Sequence, residues 1–205
     1  MNIEILLSFV LATAVLAAST GPDNLFVLAQ SMVHGKKHGL ATVAGLMSGC
    51  IIHTSFIAFG LSAIIKENVS VFFIIKLLGA AYLCYLAFQV FKSDSKIRIS
   101  TNNVPKKTTI QLFKTGFLMN VLNPKVTFFF LAFFPEFLFS DILSTVVQFY
   151  VLGGLFIITS FIIFSSIAFL GSTLFKYLTK YKKTGVYLKW GQIIIFIGIA
   201  ILVLI

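Results

Sequence analysis

The chain has 205 residues, of which 59% are hydrophobic and 11% are charged, and 24 of them are phenylalanine. This composition excludes a water-soluble surface and indicates that lipid is the main solvent. A helix needs about 20 mostly apolar residues to cross a bilayer, so the length allows six crossings and no separate soluble domain. The formal charge of +10 lies in short segments between apolar runs, where it indicates topology and not nucleic-acid binding.

Three apolar regions, separated by short polar connectors, make up the first half. Glu4 stands where a signal peptide carries a basic cluster, and the apolar pattern resumes at Leu25 after a polar break. We therefore expect the first region to be retained as a span. The regions are Ile3 to Val33, Gly39 to Ile65 and Val71 to Phe91, and the connectors are His34 to His38 and Lys66 to Asn68.

A long polar stretch, Lys92 to Gln111, follows, and Pro105 within it favours a flexible loop. The second half again contains three apolar regions. We expect one transmembrane domain over residues 1–205, with half-repeats of about 1–91 and 112–205 joined by the loop 92–111. The regions are Leu112 to Phe139, Ser144 to Phe175 and Val186 to Ile205, with a basic segment, Lys176 to Lys183, before the last.

The basic residues fall on one side of this arrangement. The first, third and fifth connectors and their flanks hold thirteen Lys and Arg residues, against one, Lys66, on the other side. By the positive-inside rule these connectors are cytoplasmic, and both termini lie outside the cytoplasm.

The two halves correspond at a proline in their first spans. Three spans in each half predict two inverted repeats, because the second half enters the membrane from the opposite side. Aligning Pro22 with Pro124 places Gly21 opposite Asn123 and Asp23 opposite Lys125. The fold prediction is therefore all-α and polytopic, with six transmembrane helices of which the first and fourth are broken at these prolines.

A helix break at a proline leaves backbone carbonyl groups without a hydrogen-bond donor, and lipid cannot supply one. Such a break is therefore expected to face protein or a wet cavity. By helix rise, Asp23 lies about 15 Å from the first cytoplasmic connector, and Lys125 lies about 18 Å from the start of the fourth apolar region. Both are near the middle of a hydrocarbon core about 30 Å thick. Transporters bind substrate at this depth. We single out Asp23, Asn24, Asn123 and Lys125 as candidate substrate-binding or coupling residues.

Each charge also has a structural interpretation. Thr20 as N-cap would place Asp23 at the third position of a new half-helix, where its negative charge interacts favourably with the helix dipole. Asn123 can cap and Pro124 can open the second half-helix, but Lys125 then lies at the positive end and needs an anionic partner. That partner is Asp23, a bound carboxylate or a headgroup, unless Lys125 extends toward the membrane surface.

Two further candidates lie on the second and third spans. Ala41, Gly45, Gly49 and His53 repeat every four residues, which favours close helix packing; His53 then either relays a proton or is a hydrogen-bonded structural residue. Lys76, about 8 Å below the outer surface by helix rise, either extends to that surface or binds substrate. We expect Glu136 to be a solvated acid.

The order of these motifs resembles the LysE/RhtB amino-acid exporters over nearly the whole chain. Gly21-Pro22-Asp23-Asn24, Lys76 ahead of Gly79 to Leu83, and Asn120 to Lys125 followed by Phe133 to Phe137 carry the resemblance. One departure is Ser19-Thr20, where the family commonly has proline-glycine. The resemblance implies export of amino acids or close derivatives across the bacterial inner membrane, coupled to the proton gradient, often by an oligomer.

We therefore expect a transporter and not an enzyme, without cofactor or metal. A zwitterionic substrate would place its ammonium at Asp23 and its carboxylate at Lys125, displacing an ion pair between them, with protonation of Asp23 or His53 driving release. Two rivals remain: a thiol-disulfide electron carrier using Cys50 and Cys84, and a divalent-cation exporter, for which a single midplane carboxylate makes a poor site.

Overall fold

The computed structural model describes residues 2–19, 21–94, 104, 106–180 and 184–204, and within these ranges the secondary structure is helical. The middle of the expected flexible loop, including Pro105, lies outside the described residues. The helices are α1 (Ile3–Ala18), α2 (Pro22–His34), α3 (Lys36–Phe56) with a π-helical turn (Ile57–Leu61), α4 (Ser62–Glu67), α5 (Val69–Lys92), α6 (Thr109–Val121), α7 (Pro124–Phe133) with a 3-10 turn (Phe134–Phe137), α8 (Thr145–Lys180) and α9 (Thr184–Leu204).

These helices form six candidate membrane spans. Four are long and apolar enough to cross a bilayer unaided: α3 with α4, α5, α8 and α9. The other two are bent pairs, α1 with α2 at 62° and α6 with α7 at 51°. The prediction of an all-α polytopic membrane protein is therefore confirmed, and the bends fall at Pro22 and Pro124.

The connectors are shorter than the sequence predicts. Gly35 alone separates α2 from α3, and its φ of 89° lies in the region that favours glycine. Asn68 alone separates α4 from α5 and caps α5 by accepting from the Val71 N–H at 3.1 Å. Thr108 and Gln111 form a capping box, so α6 begins before the predicted Leu112.

The expected basic connector before the last span is largely helical. The helix α8 continues through Lys176 to Lys180, five residues beyond the predicted end at Phe175. Lysine is a good helix former, so the end of the apolar pattern does not end the helix. Residues 181–183 lie outside the described residues.

Close packing of α3 on α6 positions the second break. A Cβ atom added at Gly45 would overlap the Phe113 carbonyl oxygen, and one added at Gly116 would overlap the Thr42 carbonyl oxygen. The two backbones therefore touch directly at these glycines, as small-residue motifs permit in membranes. The predicted packing role of Gly45 is confirmed.

Some of the helix contacts are those expected of two related halves, although the organisation in half-repeats stays a prediction. If α1 corresponds to α6, α3 to α8 and α5 to α9, the packing of α3 on α6 matches that of α1 on α8. The pairs α3 with α8 and α5 with α9 are also in contact, as expected for elements on either side of a two-fold axis. The inverted orientation of the halves in the membrane stays a prediction.

A cluster of phenylalanines fills the core on one side of the breaks. Phe129 stacks on Phe133 with ring centroids 4.4 Å apart, and Phe130 stacks on Phe134 at 4.1 Å. Phe9 of α1 packs edge-on against Phe134 at 5.1 Å. All five rings are almost completely buried, so this part of the bundle holds dense apolar packing.

Candidate functional site

The first break joins α1 to α2 through Ser19 and Gly21. Gly21 is the N-cap of α2, Pro22 is its first residue and Asp23 its second. The predicted start was therefore wrong by one residue, and the expected N-cap Thr20 lies outside the described residues. Asn24 donates its side-chain N–H to the carbonyl oxygen of Ala17 at 2.8 Å, so it satisfies a carbonyl that the end of α1 leaves free.

The second break has the same geometry with the opposite charge. Asn123 is the N-cap of α7 and accepts from the Lys125 backbone N–H at 3.0 Å, while Pro124 is the first helical residue. The predicted cap at Asn123 is confirmed. Lys125 occupies the second position, as Asp23 does in α2, so the charge opposition predicted by the alignment is matched in helix position.

The side chains of the two breaks meet in the middle of the bundle. Asn123 donates its side-chain N–H to Asp23 Oδ2 at 3.0 Å. Lys125 Nζ donates to Ser19 Oγ at 3.2 Å and lies 5.0 Å from the centre of the Phe196 ring. Both hydrogen bonds therefore run from donors of the second break to acceptors of the first.

The expected direct ion pair between Asp23 and Lys125 is absent. Among the described residues, Lys76 and Glu136 bring their charged atoms within 4.0 Å of each other, whereas Asp23 and Lys125 do not. Lys125 points instead to Ser19, and Asn123 occupies the hydrogen-bonding position at Asp23. The opposite charges still attract each other, but a polar amide and not an ammonium is the partner of the carboxylate.

Two cavities border this cluster. The wide cavity, about 790 Å³, extends from the breaks to the end of α5 and the start of α9. The narrow cavity, about 50 Å³, lies deeper and is lined by Asp23 and Asn24. Gly21, Pro22 and Lys125 line both cavities and so form the wall between them. The polar residues of the wide cavity are Tyr82, Gln89, Ser93, Asp94, Asn123, Lys125, Lys189 and Gln192.

His53 lies behind the cluster and lines neither cavity. Its Nε2 atom is 3.1 Å from the carbonyl oxygen of Asn120, near the end of α6, and its ring packs 5.4 Å from that of Phe130. Since a carbonyl oxygen only accepts, this nitrogen carries the proton. His53 therefore supports the helix that leads into the second break.

Lys76 is a second predicted candidate that lies outside the cluster. It lines neither cavity, and its Nζ atom lies 2.8 Å from Glu136 Oε1. The expectation that Glu136 is simply solvated was wrong, because the 3-10 turn after α7 brings its carboxylate against α5. The pair ties the third span to the end of the fourth.

The sequence reasoning missed several residues of the site. In the sequence Ser19 is only a departure from the family pattern, yet in the structure its hydroxyl oxygen accepts from Lys125 Nζ. Ser160 lines the narrow cavity, as does Asn120, which the resemblance quoted without a role. Tyr82, Gln89 and Gln192 line the wide one. A polar side chain within an apolar span was the signal that marks all of them.

The two rival chemistries find little support in this geometry. Cys50 is buried in α3 while Cys84 is exposed on α5, and both are free thiols. Cys50 accepts from the Asn120 side chain at 3.4 Å and so belongs to the packing around the second break. Within the described part of the chain, no cluster of three His, Cys, Asp or Glu residues could hold a metal ion.

Comparison with known proteins gives one family. The family model described as LysE type translocator matches residues 14–204. A homoserine/homoserine lactone efflux protein of Salmonella typhimurium is 28% identical over 168 residues, which cover 82% of this chain and 81% of that protein. No solved structure matches the chain significantly.

Two uncharacterized membrane proteins are also similar. One, from Vibrio cholerae, is 27% identical over 67% of each chain. The other, from Bacillus subtilis, is 30% identical over 65% of this chain and 67% of its own length. The family is one of transporters, which confirms the prediction of solute transport and of a chain that is not an enzyme. With its family model matched over residues 14–204 and its six candidate spans, the chain belongs to the LysE type translocator family.

Proposed function

We propose that this protein exports amino acids or close derivatives from the cytoplasm across the inner membrane by exchange for protons. The observation that carries the proposal is the meeting of two broken helices with opposite charges, Asp23 and Lys125, at the wall between the two cavities. A zwitterion presents both charges within one small molecule. The homoserine/homoserine lactone efflux proteins among the relatives support the same substrate class.

The wide cavity serves as the entrance from the cytoplasm. Its far end is lined by Ser93 and Asp94, after α5, and by Lys189 of α9. These residues adjoin the segments that hold most of the basic residues, which the positive-inside rule assigns to the cytoplasm. The phenylalanine cluster on the other side of the breaks closes the path outward. We therefore assign the structure to an inward-facing state.

The substrate carboxylate binds where Gly21 begins α2. Glycine has no side chain to cap the helix, so the partial positive charge of this end is open to a bound anion. A Cβ atom at Gly21 would lie 3.7 Å from Lys125 Nζ, which places the ammonium beside the helix end. The carboxylate would then replace Ser19 as the partner of Lys125.

The substrate ammonium is directed to Asp23 on the other side of the wall. In the structure the Asn123 side chain donates to this carboxylate, and the substrate ammonium competes with Asn123 for it. Protonation of Asp23 from the outside removes the charge that attracts the ammonium, so efflux is linked to proton entry. Both termini outside the cytoplasm and a homo-oligomer in the membrane belong to the same proposal.

The test is efflux from cells that express the chain and are loaded with a panel of dipeptides. Intracellular hydrolysis releases amino acids, and their appearance in the medium is compared with that from vector controls. We expect Asp23→Asn and Lys125→Met each to reduce efflux of the exported amino acid at least tenfold. Lys92→Met, which changes an exposed lysine at the end of α5, is the matched control.

Three outcomes would count against the proposal. Wild-type rates from folded, membrane-inserted Asp23→Asn and Lys125→Met variants would remove both residues from the mechanism. Loss of efflux in a Cys50→Ser/Cys84→Ser protein would instead favour a thiol-based activity. Efflux that is unchanged when the proton gradient is collapsed would exclude proton exchange.

A further inference from the structure

The narrow cavity contains hydrogen-bond acceptors that no protein group uses. Asn120 Oδ1 and Ser160 Oγ have no hydrogen-bond partner among the described residues, and the two residues are 4% and 1% exposed. Both residues line the narrow cavity together with Asp23. Buried polar atoms without a partner are rare, because each costs free energy, and a bound group that supplies donors would satisfy these two.

The set of acceptors matches one chemical group. An alkylammonium carries three N–H donors and no acceptor. Asp23, Asn120 and Ser160 offer a carboxylate, an amide oxygen and a hydroxyl from three different helices, α2, α6 and α8. Lys125, whose ammonium lies at the same wall, donates to Ser19 instead and is therefore not a partner of the Asn120 and Ser160 oxygens.

The size of the cavity sets what it can admit. The narrow cavity holds about 50 Å³, against about 790 Å³ for the wide cavity, so the small ammonium end of a substrate suits the narrow cavity and the rest of the molecule suits the wide one. The surrounding walls are apolar, with Phe129, Phe156 and Phe164 among them. A substituent on the nitrogen would meet these rings.

We propose that the narrow cavity is a subsite for the primary ammonium group of the substrate, with Asn120 and Ser160 as specificity-determining residues beside Asp23. The inference rests on the proposed function and adds a rule to it: compounds with a free primary amine are exported and N-acylated compounds are not. The substrate side chain stays in the wide cavity, so it is selected there and not by this subsite.

Purified full-length protein in liposomes tests the rule with three probes. L-homoserine has both an ammonium and a carboxylate, homoserine lactone has only the ammonium, and N-acetyl-L-homoserine has only the carboxylate. We expect efflux of the first two and not of the third. Ser160→Ala should lower the efflux of both amines about tenfold at low concentration, as expected when a hydrogen bond to a charged group is lost. Lys125→Met should lower the efflux of homoserine more than that of the lactone.

Protein stability separates this role from a structural one. Ser160→Ala removes a buried hydroxyl that has no partner, so its thermal unfolding temperature should stay the same or rise. Ser165→Ala is the matched control, because Ser165 is also a buried, unpartnered serine of α8 but lies outside the narrow cavity. We expect wild-type efflux from it.

Several results would overturn the inference. They are efflux of N-acetyl-L-homoserine at the rate of L-homoserine, wild-type efflux from Ser160→Ala, or a loss in Ser160→Ala that spares the lactone. If the wild type moves none of the three probes and no member of the dipeptide panel, the proposed function fails. The subsite is then tested by adding methylammonium chloride to the purified protein. It should raise the unfolding temperature of the wild type but not of Ser160→Ala, and equal shifts in the two proteins would refute the subsite.

Discussion

The side chain of Asn123 joins the two halves of the chain, because it donates to Asp23 Oδ2 at 3.0 Å while its oxygen accepts from the Lys125 backbone N–H at 3.0 Å. One amide thus caps α7 and fixes the carboxylate at the start of α2. The two functions use different atoms of Asn123. They can therefore be separated by substitution.

Replacing Asn123 should distinguish its capping role from its contact with Asp23. Asn123→Ser keeps an oxygen that can cap α7 but has no amide to reach Asp23, so we expect nearly wild-type stability and reduced efflux. Asn123→Ala loses both roles, and we expect it to be less stable than Asn123→Ser by about 1 kcal/mol. The measurements are thermal unfolding in detergent and efflux from liposomes. Wild-type efflux from Asn123→Ser would show that the hydrogen bond to Asp23 has no part in transport.

Because the backbones of α3 and α6 are in contact, adding a single methyl group at Gly45 should lower the stability of the protein. Gly45→Ala would push a Cβ atom into the Phe113 carbonyl oxygen, and because a backbone cannot rotate away, the helices must separate. We expect a loss of about 1 to 3 kcal/mol of stability and less folded protein in the membrane. Detergent unfolding and fluorescence-detected gel filtration measure these quantities.

A matched control for this substitution lies in α8. Nothing lies within 4 Å of a Cβ atom added at Gly154, so Gly154→Ala should leave stability unchanged or raise it by up to about 1 kcal/mol through helix propensity. Equal effects of Gly45→Ala and Gly154→Ala would contradict the close packing of α3 on α6.

The sequence predicts the spans and the breaks well for a physical reason. Lipid requires long apolar helices, and a proline within such a run has few structural solutions, so Pro22 and Pro124 mark the bends. The cap at Asn123 follows from the same local chemistry. These features depend on residues that are neighbours in the sequence, so one sequence is enough to predict them.

The contacts between distant residues could not be predicted in this way. The pairing of Asp23 with Asn123 instead of Lys125, and of Lys76 with Glu136, depends on how far each side chain reaches across packed helices. Ser160 gave only a weak signal, because a serine in an apolar helix usually bonds to its own backbone. Its missing partner becomes visible only when the neighbouring helices are in place.

His53 offers the last test, between structural support and proton relay. Its Nε2 atom donates to the Asn120 carbonyl oxygen at 3.1 Å, and a glutamine amide can replace that donor but cannot carry a proton near neutral pH. We expect His53→Gln to keep efflux driven by an imposed pH gradient, and His53→Leu to lose about 1 kcal/mol of stability because the donor is missing. Gradient-driven efflux into an acidic medium and unfolding in detergent measure the two effects. If His53→Gln folds normally but no longer responds to the gradient, while Asp23→Asn still does, the coupling group is His53 and the role proposed for Asp23 in proton exchange is wrong.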